Sequence, residues 1–436
     1  MKAFIDKTFL LNNQTGIHMY HQYCENIPIA DYHCRLSARD IADNKTYENL
    51  TAFFIFNNPK RLQTIYTYHK KTPESASSWT DYDYFSMYIQ AIEHAIGSPE
   101  YIICHMELEY FFGYSGPVSS KEAEKIWDFC NRKLAYPHMC MQRILTDHNV
   151  HYLNIEEELC ADLTTYETLN NNPLPQTTIT PLIRFDFPDT LQLNALSLLG
   201  FTIHSYDDYL DAIAGRIQSF KNCGCVSLLF SMSFCHTTLQ EGHDLNSRLI
   251  FDKLLHEQPL SAFEYAFLQK ELLQYILVLC RKHSLILLLD IPEDSLVQLA
   301  PLLCGEMDDN GPKLLLYTDL EQLIKYTPHQ QAISTIFTNS NIQWQYPFPQ
   351  SLKLLPEIPD MLQNQMLITN LSQCLCSASG AHEFSFLCHL DYYRRHLSNI
   401  LGDYIENGFY PKDFAFIETM LENICYHNVI DLFLDL

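Results

Sequence analysis

Eight short apolar segments, separated along much of the chain by stretches of helical length, constrain the fold of this sequence more than any other feature. Each segment is seven or eight residues long, as expected for a strand covered on both faces of a sheet. Strands that alternate with helices indicate parallel βα units, and eight of them predict an α/β protein with a (β/α)8 TIM barrel. The predicted strands are residues 27–33, 149–155, 178–184, 225–231, 285–291, 313–319, 341–348 and 371–377.

Helical patterns fill the connections between several of these strands. Residues 207–221 form one such segment, and residues 261–283 form another, in which Ser261 can cap the N-terminus. After the last strand, residues 389–408 and 413–433 have the pattern of two closing helices. These helices would cover the outer face of the barrel.

One connection is much longer than the others. Residues 37–148 are helical in pattern and interrupted by turns, which predicts a helical insertion after the first strand. The predicted organisation is therefore an N-terminal segment with the first strand (1–36), the helical insertion domain (37–148), and the remainder of the barrel with its closing helices (149–436).

The charge and cysteine content narrow the functional classes. The formal net charge is −24, which argues against nucleic-acid binding and against anionic membranes, because both need a basic surface. No window reaches the apolar length of a membrane span. The 15 cysteines do not fall in CxxC pairs, so we expect reduced, buried thiols in a cytoplasmic protein.

In a parallel barrel the reactive groups lie at the C-terminal ends of the strands. The side chains at those ends, taken in strand order, are His33 and Arg35; Glu156, Glu157 and Glu158; Arg184 and Asp186; Leu228, Leu229 and Phe230; Asp290; Asp319; and Ser377, Ser379 and Gly380.

The chain resembles the uronate isomerase (glucuronate isomerase) family of the amidohydrolase-like barrel group. The resemblance runs from end to end, and the segments that carry it best are residues 1–34, 95–113, 126–131, 312–317, 391–411 and 420–433. It implies a barrel of the metal-dependent hydrolase type that isomerises D-glucuronate to D-fructuronate and D-galacturonate to D-tagaturonate. The resemblance also implies a divalent metal, zinc or manganese, at the barrel mouth.

The strand ends depart from the family pattern more than the helices do. The His-x-His of the family becomes His33 and Arg35, and its Arg-Pro-Asp keeps the charged pair as Arg184 and Asp186. The histidine that ends strand five falls on Leu289 or Asp290. At strands two, four, six, seven and eight the polar pattern of the family is lost.

These losses bear first on the metal, which needs three to four converging donors. Arg35 has no lone pair to give, so only His33 and Asp290 stay as remnant candidates. We therefore expect no cofactor, or a divalent zinc or manganese ion only if the family site persists. The surviving candidates for catalysis are His33 and His105.

Arg184, Asp186 and Arg35 are the candidates for binding the carboxylate of a hexuronate, with Asp186 orienting Arg184. Each candidate also has a structural alternative. His33 could pair with Asp31 or a backbone group, Arg35 could pair with Glu156–Glu158, and Arg184 with Asp186 could be a structural ion pair. His105 with Glu107 could be a pair on a helix surface.

The sequence therefore predicts a uronate isomerase family protein with much reduced or lost activity. The alternative is a non-catalytic barrel that binds a sugar acid or a protein partner, and a homo-oligomer is compatible with either function. A third hypothesis, thiol chemistry at Cys34 or Cys376, ranks last because nothing beside these residues lowers a thiol pKa.

Overall fold

Seven parallel strands form one sheet in the computed structural model, which describes residues 4–232, 245–291, 311–317, 342–345, 358–368, 370–376 and 378–434. Each strand pairs with the next one along the chain, in parallel. The mixed α/β fold is confirmed, and so are the first seven predicted strands within the described residues, with ends that differ by at most three residues in β1 to β5. The strands are β1 Ile29–Cys34, β2 Val150–Glu158, β3 Thr178–Phe185, β4 Ser227–Ser231, β5 Ile286–Asp290, β6 Leu314–Tyr317 and β7 Ile342–Gln345.

The sheet is buried on both faces, which is why its strands have continuous apolar sequences. All six residues of β1 and all four of β6 are buried, as are the first four residues of β4 and of β5. A buried polar layer interrupts this core: the Asn154 side chain donates to the Tyr32 carbonyl and the Ser227 hydroxyl, and accepts from Thr180. The layer links β1 to β4 across the interior.

The predicted eighth strand was wrong for the residues that the structure describes. Residues 371–373 form one turn of 3-10 helix, and residues 374–376 and 378–381 have no regular structure. The Cys376 backbone N–H donates to the Ile424 carbonyl, and the Ser379 backbone N–H donates to the Asp31 carboxylate. The segment still lies beside β1, since Gly380 donates to the His33 carbonyl.

Helices α2 to α8 lie between β1 and β2, where the insertion was predicted. The division of the chain into three parts stays a prediction. The helices are α1 Gln14–Met19, α2 Ala38–Ala42, α3 Leu50–Phe54, α4 Pro59–His69, α5 Asp81–Glu93, α6 Pro99–Phe112, α7 Ala123–Leu134 and α8 Met141–Asp147.

A buried ionic cluster joins this helical region to the segment after residue 378. Arg61 is 1% exposed and donates to Glu100 at 2.8 Å and to Glu107 at 2.7 Å. Glu383, also buried, accepts from the Asn58 side chain at 3.2 Å, and its Oε1 atom has no hydrogen-bond partner among the described residues. Burial raises the pKa of Glu107 to about 7 and that of Glu383 to about 8, although the charge of Arg61 opposes both shifts.

The remaining helices follow the predicted pattern. Ser261 caps α13 through a capping box with Glu264, as the sequence indicated. The described remainder is α9 Thr164–Asn171, α10 Thr190–Leu198, α11 Tyr206–Asn222, α12 Ser247–Leu255, α13 Ala262–His283, α14 Ile358–Ile368, α15 Ser385–Glu406, α16 Phe414–Glu422 and α17 Asn428–Phe433. No helix in these described ranges combines the length and the apolar character that crossing a bilayer requires.

Helix α15 packs closely against α1. A Cβ atom on Gly402 would lie 2.5 Å from the backbone nitrogen of Gly16, and closer still to the side chain of Asn13. Asn13 caps α1 and also donates to Asp403 at 2.9 Å. The absence of a side chain at position 402 is therefore what permits the two helices to approach.

Candidate active site

Glu156 is the centre of the charged side chains at the C-terminal ends of β1, β2 and β3. Its Oε2 atom accepts from Nε2 of His33 at 2.6 Å and from Nε of Arg35 at 3.0 Å. Its Oε1 atom accepts from Nη1 of Arg184 at 2.9 Å. The structural alternative for Arg35, an ion pair with one of the glutamates 156–158, is therefore present, and its partner is Glu156. His33 contacts the same Glu156 carboxylate.

The strand order explains this convergence. Glu156 lies on β2, the strand between β1, which carries His33, and β3, which carries Arg184. The parallel registers place Ile155 opposite Cys34, and Glu158 opposite Arg184. The donors of the two outer strands therefore reach the same carboxylate from opposite sides.

The electrostatics of this group keep Glu156 ionised. Burial alone would raise its pKa, but the hydrogen bond from His33 and the charges around it hold the pKa well below its usual range. Burial lowers the pKa of His33, against the effect of the hydrogen bond and the charge of Glu156. Because the carboxylate can only accept, the Nε2 atom of His33 must carry the proton.

Arg184 holds three carboxylates at once. In addition to Glu156, its Nη2 atom donates to Glu158 at 3.0 Å, and its Nε atom donates to Asp186 at 2.9 Å. The predicted pair of Arg184 and Asp186 is thus present. Every nitrogen of this guanidinium group has a carboxylate partner within the protein.

Two pockets open beside the Glu156 carboxylate. One has a volume of about 400 Å³ and is lined by Arg35, Glu156, Arg184 and His382, among others. The other, of about 670 Å³, is lined by Arg35 and Glu156 together with residues of α2 and α9. Both volumes fall in the range of about 300–1,000 Å³ that is usual for small-molecule sites.

A buried polar group around Asp31 lies on β1, two residues before His33. Asp31 accepts from the backbone N–H of His33 and of Ser379 and also from the Ser379 hydroxyl. Burial raises its pKa to about 6, against the effect of these hydrogen bonds. Tyr317, at the end of β6, lies 6.5 Å from the His33 ring, centre to centre. Asp319, the residue predicted at the end of this strand, lies outside the described residues, as does Ser377.

The predicted apolar residues at the end of β4 are buried, and β5 ends at Asp290, the polar residue predicted there. Leu228, Leu229 and Phe230 are buried, and the Phe230 ring stacks on Phe185 at 5.4 Å. Asp290 accepts from the Ser231 hydroxyl at 3.4 Å, and burial raises its pKa. The polar groups that the family has after strand four are thus replaced by close packing.

His105 lies on α6 and is largely buried. Its Nδ1 atom contacts the Tyr101 carbonyl at 2.7 Å, and its Nε2 atom accepts from the Val118 backbone N–H at 3.4 Å. Glu107 does not form a surface pair with His105, because Glu107 is buried against Arg61. A catalytic role for His105 stays a prediction.

A metal ion of the family type does not fit the described residues at the mouth. Nowhere in the described ranges do three His, Cys, Asp or Glu side chains form a group that could hold a metal ion. His33 directs Nε2 at Glu156, and Arg35, which has no lone pair to give, donates its Nε hydrogen to the same carboxylate. We therefore derive no step of the chemistry through a metal.

The thiols at the mouth do not suit a nucleophilic role. Cys34 and Cys376 are buried, and burial raises the pKa of both thiols above the usual range. Each Sγ atom donates to a backbone carbonyl, of Asn154 and of Ala30 respectively. Both residues are core side chains.

Comparisons with known proteins agree with one another. The family model described as glucuronate isomerase matches residues 1–292 and 358–433. A uronate isomerase from Clostridium perfringens is 23% identical over 465 residues, which cover 98% of each chain. Two solved structures are similar in fold. A uronate isomerase from Thermotoga maritima has a TM-score of 0.84 at 19% identity and covers 99% of this chain and 100% of that chain. A glucuronate isomerase from Caulobacter crescentus has a TM-score of 0.82 at 14% identity, with 98% and 96% covered.

Proposed function

This chain belongs to the glucuronate (uronate) isomerase family, and from that premise we propose that it handles a hexuronate with isomerase activity that is much reduced or lost. The reactions concerned are those of D-glucuronate to D-fructuronate and of D-galacturonate to D-tagaturonate. The hexuronate would bind in the pocket of about 400 Å³ beside Glu156. The relatives named uronate isomerase support the substrate class.

One observation carries the proposed loss of activity. His33 is the side chain best suited to bind a metal or to transfer a proton, and Arg35 and Arg184 are those best suited to bind a substrate carboxylate. All three are hydrogen-bonded to Glu156. An aldose–ketose isomerisation needs a base at one carbon, an acid at the carbonyl oxygen and a clamp on the carboxylate. A group held by an internal carboxylate serves these roles poorly.

The roles we propose for individual residues follow from their positions. Arg184 and Arg35 line the pocket and would hold the substrate carboxylate. Asp186 would orient Arg184. His33 is the candidate acid or base at the mouth. His105 is a weaker candidate, since both of its ring nitrogens contact the backbone. Loss of one positioned acid or base typically lowers a rate by about 10²–10⁴.

Turnover of D-glucuronate and D-galacturonate tests the proposal. We expect a rate at least about 10²-fold below that of the Thermotoga maritima uronate isomerase under the same conditions, with zinc or manganese added to both. Any residual turnover should fall further in the Arg184→Ala variant. A rate equal to that of the relative would contradict the proposal, and near-stoichiometric zinc or manganese in the purified protein would contradict our account of the metal site.

If no turnover is found, thermal unfolding distinguishes a binder from a scaffold. D-glucuronate or D-galacturonate should raise the Tm of the protein, whereas D-glucose, which lacks the carboxylate, should not. No effect of either uronate would favour the protein-interaction alternative. We further propose that residues 374–376 and 378–381 stand in the place of the eighth barrel strand. We also propose that the protein is cytoplasmic.

A further inference from the structure

The Glu156 carboxylate is held as a protein holds the carboxylate of a bound ligand. Both of its oxygens accept hydrogen bonds, from one imidazole and two guanidinium groups, at 2.6 to 3.0 Å. We propose that His33, Arg35 and Arg184 form a carboxylate-binding site, called here the carboxylate cradle, and that Glu156 occupies it in place of an external ligand. This inference deepens the proposed function, on which it rests for the identity of the displaced ligand.

The burial of Glu156 and of the two arginines shows how a ligand would reach the cradle. The Glu156 side chain is only 3% exposed, but those of Arg35 and Arg184 are 23% and 32% exposed. Both guanidinium groups also line the pocket of about 400 Å³. A small carboxylate in this pocket therefore lies within reach of the same donors once Glu156 is removed.

The neighbouring glutamates are not held in this way. Glu157 accepts from the Tyr166 hydroxyl at 2.8 Å. Glu158 pairs with Arg184 at 3.0 Å, but its side chain is 73% exposed. Only Glu156 is enclosed by donors from both neighbouring strands, so the cradle is specific to one position of the three. Glu158, which shares Arg184, is the matched control.

Replacement of Glu156 by alanine should empty the cradle. The atoms removed beyond Cβ correspond to one acetate ion, so acetate is the probe. In chloride we expect the Tm of Glu156→Ala to fall by about 5 °C or more, because two guanidinium groups lose a buried partner. Acetate at the same ionic strength should restore at least half of that loss, and neutral acetamide should restore none.

The control is Glu158→Ala, which removes an exposed carboxylate from the same Arg184. Its Tm, like that of the unmodified protein, should be the same in acetate and chloride. A folded Glu156→Ala variant with equal Tm values in the two salts would overturn the proposal. If the variant is insoluble, its refolding yield replaces the Tm: recovery in acetate alone supports the cradle, and equal recovery or none in either salt overturns it.

D-glucuronate then separates the two proposals. The cradle predicts that it stabilises Glu156→Ala more than it stabilises the unmodified protein, with D-glucose as the neutral control. Stabilisation by acetate without any by D-glucuronate would support the cradle and contradict the proposed binding of a hexuronate at the mouth. None of these measurements depends on turnover.

Discussion

Replacing Arg61 by methionine is expected to lower the free energy of unfolding by about 3–5 kcal/mol, because it leaves buried carboxyl groups without their partner. The Arg61 guanidinium group donates to Glu100, to Glu107 and to the Phe54 carbonyl, and it lies 5.6 Å from the centre of the Tyr88 ring. Methionine fills much of the volume but supplies none of these hydrogen bonds. Denaturant unfolding followed by circular dichroism measures the effect.

Arg39 provides the control for Arg61. It pairs with Asp43 at 3.6 Å, but the two side chains are 82% and 68% exposed. Exposed ion pairs contribute about 0–1 kcal/mol, so Arg39→Met should change stability little. A second substitution, Glu107→Met in the Arg61→Met protein, should recover part of the loss, because a buried pair replaced by apolar groups is often tolerated. A loss at Arg61 no greater than at Arg39 would contradict the assignment of a buried cluster.

The Glu383→Gln variant is expected to gain stability relative to the unmodified protein as pH rises. Burial raises the pKa of Glu383 to about 8 from its usual 4.5, against the charge of Arg61 and with the help of Glu107 and Glu100. Between these two values the folded state keeps a proton that the unfolded state loses. Stability therefore falls as pH rises through this window, and the loss is complete above pH 8.

The size of this effect follows from the shift. At about 1.36 kcal/mol per pH unit, the upper bound is about 5 kcal/mol at alkaline pH. Glutamine is the neutral isostere of the protonated acid, so the difference in stability between Glu383→Gln and the unmodified protein should be small near pH 5. This difference in stability should increase with pH up to about pH 8. Unfolding free energies measured at several pH values give this difference directly.

Because of Glu107, the stability of the Glu383→Gln variant should still fall as pH rises. The pKa of Glu107 is also raised by burial, to about 7, so this residue lowers stability with rising pH in the same direction. The exposed Glu418→Gln serves as the control for the substitution itself. A pH-independent difference for Glu383→Gln would show that Glu383 is ionised in the folded protein at neutral pH.

The local structure of the chain was largely predictable from sequence. Seven strands follow from short apolar segments, since a parallel strand buried on both faces has no polar side to show. The start of α13 follows from Ser261, whose capping geometry depends only on residues within one turn. The pairing of Arg35 with a glutamate was also anticipated, because parallel strand ends meet at one edge of the sheet.

Other features depend on contacts between distant residues. That residues 371–376 do not form a strand could not be predicted, because the Cys376 backbone N–H donates to the carbonyl of Ile424, a residue distant in sequence. The apolar sequence LSQCLCS is compatible with either conformation. The cluster around Arg61 likewise joins residues more than 300 positions apart, with nothing in the local pattern to mark it.

By itself, then, the sequence determined the parallel α/β architecture, the long helical connection after β1 and the family, because periodicity and end-to-end resemblance are properties of the chain. Only the tertiary structure decided that Glu156, and not Glu157 or Glu158, receives His33, Arg35 and Arg184. The three glutamates are equivalent in sequence. They differ because strand pairing directs one of them towards donors on both neighbouring strands, where burial makes each hydrogen bond to the carboxylate stronger.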